Sequence, residues 1–81
     1  MKHIENKEVI TAIRRNRALS ELALLAEIFS DGHFAIMKFT TNYRVCLGTP
    51  ICREDIEKMA EGSTLIEAIY NLGNSEWEKA K

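Results

Sequence analysis

Two cysteines, one proline and four glycines are a small share of 81 residues, and each scarcity excludes something. Two cysteines do not make a disulfide scaffold. The glycines stand far apart, so no glycine-rich loop exists to cradle a phosphate. No G-x-S-x-G elbow is present, and Ser20, Ser30, Ser63 and Ser75 read as cap or loop residues rather than nucleophiles. Charges interrupt every apolar run before it reaches the roughly 20 residues a membrane span needs. Met1–Glu5 lacks the apolar stretch of a secretory signal, so the expected location is cytoplasmic, with Cys46 and Cys52 kept reduced.

Metal ligation finds little support. His3, His33, Cys46 and Cys52 are the soft or nitrogen candidates, and none stands in a C-x-x-C or H-x-x-x-H pair. Glu54, Asp55 and Glu57 lack the Asp-x-Asp-x-Asp-Gly pattern of a calcium loop and are accounted for by the preference of acids for a helix N-terminus. A chain of 9.2 kDa rarely encloses a pocket of a few hundred Å³. The expectation is therefore no metal, no cofactor and no catalysis.

What is present is the composition of one small folded domain spanning residues 1–81: 46% hydrophobic and 28% charged. The net charge of −1 conceals an asymmetry. Residues 1–53 carry eight Lys/Arg against five acids, a net of +3, while residues 54–81 carry three Lys against seven acids, a net of −4. Such a dipole can steer a charged partner, although helix starts rich in acids explain much of it.

The order of elements reads as α+β. Two N-terminal helices are expected at about 6–15 and 17–30, because the apolar side changes partway. Val9, Ile10 and Ile13 cluster on one side of the helical wheel, whereas Ala18, Leu19, Leu22, Leu25, Ala26 and Phe29 lie nearly opposite. One straight helix cannot present both sets to a single core. A break near Arg15–Arg17, capped by Asn16, solves the problem. A continuous helix would instead require a partner chain. Gly32 is suited to end the second helix in the left-handed conformation.

Phe34–Phe39 and Tyr43–Leu47 flank a short polar turn and read as a single β-hairpin, strands about 34–39 and 43–47. A three-residue loop pairing Phe39 with Tyr43 gathers Ala35, Met37, Phe39, Tyr43, Val45 and Leu47 on one face. It leaves Phe34, Ile36, Lys38, Arg44 and Cys46 on the other. Gly48-Thr49-Pro50 ends the second strand. A short helix is expected at about 52–61, with Ile51, Ile56, Met59 and Ala60 facing inward. A second, opened by the Thr64–Glu67 capping box, runs over about 64–72. Residues 75–81 read as a polar tail in which Trp77 either docks or frays.

A lone hairpin must be covered by helices or extended by another chain, and a two-layer domain of this size has one core. Surplus apolar surface at Val9, Ile10 and Ile13 and on the hairpin's second face therefore points to binding another protein, a second copy included. The expected partner-binding patch is Phe34, Ile36, Lys38 and Arg44. The alternative is nucleic acid, met by Arg14, Arg15 and Arg17 together with Lys38 and Arg44, against which the pI of about 6.1 argues. No membrane partner is expected.

Glu61-Gly-Ser-Thr-Leu-Ile-Glu-Ala-Ile69 resembles a helix start found in many small bacterial proteins, antitoxins among them, and a capping box accounts for the likeness. Small size, a hairpin flanked by helices and no catalytic set also resemble phage-encoded inhibitors of bacterial defence. That likeness of type implies a non-catalytic binding role.

Overall fold

A computed structural model describes residues 6–80, with side chains over residues 9–79. The chain is α+β, in the order α1 (Asn6–Phe29), β1 (Phe34–Lys38), β2 (Tyr43–Leu47), α2 (Arg53–Glu57), β3 (Ala60–Gly62) and α3 (Leu65–Ala80). The strands form one antiparallel sheet in the order β1-β2-β3.

α1 is continuous through Arg15–Arg17, where the sequence suggests a break. Nothing between Asn6 and Phe29 interrupts the backbone ladder, since no Gly or Pro falls in that span. The Ala26 carbonyl accepts from both Ser30 N (2.8 Å) and Gly32 N (2.9 Å) as the helix ends. Asp31 and Gly32 both take positive φ there, 50° and 84°.

The hairpin register differs by one residue from the expected pairing. Lys38, not Phe39, faces Tyr43, and Phe34 faces Leu47. Phe39 N donates to the Asn42 carbonyl (2.8 Å), so the turn closes around Thr40-Thr41 alone. Directly paired residues share a face. Phe34, Ile36 and Lys38 therefore lie on the side of Tyr43, Val45 and Leu47, while Ala35, Met37, Arg44 and Cys46 point the other way.

The expected helix over 52–61 is shorter and gives way to a strand. α2 stops at Glu57, and Ala60–Gly62 pairs with Val45–Tyr43. Ile51 is 86% exposed rather than inward-facing. α3 begins where the capping box places it: Thr64 Oγ1 accepts from Glu67 N at 3.1 Å, and Ser63 Oγ donates to Glu67 Oε2 at 3.0 Å. It then continues through Gly73-Asn74 to Ala80, because one interior glycine costs only about 1 kcal/mol and packing offsets it. Trp77 meets Phe29 edge-on, centroids 5.4 Å apart, and anchors the segment.

The core joins Ala18 and Leu22 of α1, Val45 of β2, and Ala68, Ile69 and Leu72 of α3. Fully burying Leu22, Val45 and Ile69 contributes about 1.5–3 kcal/mol each. The two long helices run parallel. Ala18 lies beside Ile66 and Ile69, Leu25 beside Gly73, and Phe29 beside Trp77. α1 residues before Arg17 therefore lie beyond the start of α3. Among the described side chains of α1, Ala18 is the first that is buried, and every one from Val9 to Arg17 is exposed.

Candidate functional site

The hairpin patch read from the sequence is divided by the register. Phe34, Ile36 and Lys38 stay together on the core side of the edge strand β1, where Phe34 and Ile36 are incompletely covered. Lys38 Nζ sits 5.7 Å from the centroid of the Tyr43 ring. Arg44 is on the opposite face and is used internally. Its Nη1 donates to the Ile56 carbonyl at 2.9 Å, its Nη2 is 3.6 Å from Glu61 Oε2, and its guanidinium lies over Phe39 at 5.5 Å. It thereby fastens the α2 segment and β3 to the sheet. Arg44→Met should lower stability by about 1–2 kcal/mol, chiefly by removing the charge-assisted hydrogen bond to the Ile56 carbonyl, which keeps only its bond from Met59 N at 3.2 Å; the half-exposed ion pair to Glu61 adds little. Thermal denaturation followed by circular dichroism checks this. An unchanged midpoint would return Arg44 to the surface as a free side chain.

Arg14, Arg15 and Arg17 are exposed on α1 but do not share one face. At about 100° per residue, Arg14 and Arg17 lie within about 60° of each other, whereas Arg15 points well away from both. Arg14 and Arg17 border a shallow groove floored by Ile66, Ile69 and Tyr70. The five basic residues of the nucleic-acid reading thus lie on separate surfaces: the arm of α1, the core side of β1, and the far side of β2.

An open cleft of about 610 Å³ lies between β2, the α2 segment and α3. Cys46, Asp55, Lys58, Glu61, Glu76 and Lys79 are its thiol and charged lining. Burial pushes the Cys46 thiol up, with the backbone at Ala35 opposing, so the thiolate is disfavoured. The Ile51 N–H, donating to Asp55 Oδ2 at 3.0 Å, holds that carboxyl below its usual range and makes it a weak base. Lys79 pairs with Glu76 at 3.5 Å. A protonated thiol beside a poor base does not assemble an activated nucleophile. Among the described residues no three His, Cys, Asp or Glu gather as a metal site, and His3 lies outside them.

An exposed apolar surface lies on α1. Val9, Ile10 and Ile13, singled out from the sequence, are joined by Leu24 and Ile28, and all five are 43–59% exposed. Val9, Ile13, Leu24 and Ile28 fall within about 100° of arc, nearly opposite the inward set Ala18, Leu22 and Ala26. The spacings 9–13 and 24–28 carry this signal in the sequence. It is obscured because Leu24 sits between Leu22 and Leu25, both core residues. Among the described residues no helix is long and apolar enough to cross a membrane. Among the described residues the outer edge of β1 pairs with no strand. No protein family, curated protein or solved structure matches this chain.

Proposed function

We propose that the chain is a non-catalytic protein-binding module that docks another polypeptide along the outward stripe of α1. The observation that carries this reading is a continuous 24-residue helix with two apolar sides, one of which packs on the core. Nine described side chains, Val9 to Arg17, precede Ala18, the first buried one among them, and all nine are exposed. An unsupported helix of that length is marginal in water, so a helix that persists there favours a partner that covers it. Arginine beside exposed aliphatic groups, as at Arg14 and Arg17, is chemistry common at interfaces.

The test is capture by the tagged chain from lysate of its own source, with and without nuclease, using wild type and Ile10→Glu/Ile13→Glu. Both substituted positions are exposed, so the core should stay folded, and at concentrations where both proteins are unpaired the far-UV circular dichroism should match wild type. The expected result is a stoichiometric protein, another polypeptide or untagged copies of this chain, retained by wild type after nuclease and lost by the variant. Retention that disappears with nuclease would instead assign Arg14, Arg15 and Arg17 to phosphate contacts. Equal recovery by both proteins would overturn the α1 stripe as the docking surface.

A further inference from the structure

We infer that the partner along α1 is a second copy of this chain, with the two helices packed antiparallel. This rests on the protein-binding reading and names its partner.

The stripe has the symmetry that a two-fold axis demands. A surface that meets its own copy must carry complementary features at equal distances on either side of the axis. Placing that axis midway along α1 opposes Val9 to Ile28 and Ile13 to Leu24, an apolar pair at each end. The centre is polar. Asn16, Arg17, Ser20 and Glu21 lie there, and Arg17 of one copy comes opposite Ser20 and Glu21 of the other. A cation at position 17 and an anion at position 21 form two such cross-pairs, one on each side of the axis. A parallel arrangement would stack Arg14 and Arg17 on their own copies and bring like charges together.

Shape agrees with this pairing. Ile13, Asn16, Arg17, Ser20 and Glu21 line a surface depression. The first four have the i, i+3, i+4, i+7 spacing of a hole that receives a knob from a facing helix. Ser20 is small enough to let the helix axes approach at the crossing. Its hydroxyl already donates to the Asn16 carbonyl at 3.0 Å, so covering it strands no donor.

The test combines mass with charge swapping. Sedimentation equilibrium of wild type from about 1 to 300 µM should show a mass rising from that of the 9.2 kDa chain toward twice that value. Arg17→Glu and Glu21→Arg, each alone, should weaken the dimer at least about tenfold through like-charge contacts. An equimolar mixture of the two variants should recover it, because every cross-pair is then attractive. For orientation, Val9→Cys and Ile28→Cys, each in a Cys46→Ala/Cys52→Ser background, should cross-link to each other when mixed. Either cysteine cross-linking mainly to its own copy would overturn the antiparallel arrangement. A monomer throughout that concentration range would overturn self-pairing altogether. The nuclease-treated capture would then decide the wider protein-binding reading on its own, since loss of another polypeptide by Ile10→Glu/Ile13→Glu does not require a dimer.

Discussion

Gly62→Val should leave the protein unfolded or barely stable. α3 lies directly on β3 at this point. A Cβ at residue 62 would stand 2.5 Å from the Ala68 nitrogen and 2.9 Å from the Glu67 carbonyl carbon. Both are backbone atoms of the first turn of α3, so no side-chain rotation relieves the clash. The helix would have to lift from the sheet and take Ala68 and Ile69 out of the core. Overpacking of this severity should cost at least about 3 kcal/mol, and in a domain of this size each kcal/mol lowers the melting temperature by about 4–8 °C. Gly73→Ala is the matched control. Its Cβ would sit 3.7 Å from Leu25 Cδ1, an ordinary contact, and alanine is the better helix former by about 1 kcal/mol. Thermal unfolding should therefore move in opposite directions for the two glycines. A Gly62→Val protein that melts with wild type would mean that α3 does not pack on β3 as described.

Leu22→Ala should be the most damaging truncation on α1, whereas Leu24→Ala should leave the fold almost untouched. Leu22 is 0% exposed and sits in the cluster with Val45, Ile69 and Leu72. Emptying that position removes the transfer free energy of the side chain and leaves a cavity, for a loss of about 2–5 kcal/mol. Leu24 is 59% exposed and faces away, so its truncation should change chemical-denaturation stability by less than about 0.5 kcal/mol at concentrations where the chain is monomeric. At concentrations where α1 is paired, Leu24→Ala should acquire a measurable loss, because the Ile13 contact across the axis goes with it. If Leu24→Ala matched Leu22→Ala at all concentrations, the outward stripe would be a second core and not an interface.

The parts of this fold legible in the sequence are those set by local chemistry. The Thr64–Glu67 capping box starts α3 where it should, Gly32 ends α1, and Leu22 and Ala26 carry the inward face. What was hidden depends on partners distant in the chain. Ala60–Gly62 is too short for an alternating pattern and follows Ile56 and Met59 at helical spacing, so it reads as the end of a helix. Only pairing with Tyr43–Val45 makes it a strand. The register slipped by one because grouping the apolar residues favoured Phe39 opposite Tyr43. The observed pairing instead lets Lys38 lie over Tyr43 and Arg44 over Phe39, contacts that make charged residues acceptable on both faces. That slip divided the expected patch and turned Arg44 from a contact for partners into an internal fastener. The change of apolar side along α1 was legible as a conflict: a broken helix or a partner. The helix is unbroken, and that continuity is the ground on which a partner is proposed.

Amide hydrogen exchange along α1 at two protein concentrations tests this most directly. In a monomer the segment from Ile10 to Arg17 has no buried side chain to hold it, so its amides should exchange through low-cost local opening. Leu22 and Val45 report the core in the same experiment. Pairing of α1 predicts that amides from Ile10 to Arg17 slow by at least about tenfold between about 5 and 500 µM, as the dimer fills. Core amides should change much less. Rates over Ile10–Arg17 that are the same at both concentrations would contradict a self-paired α1.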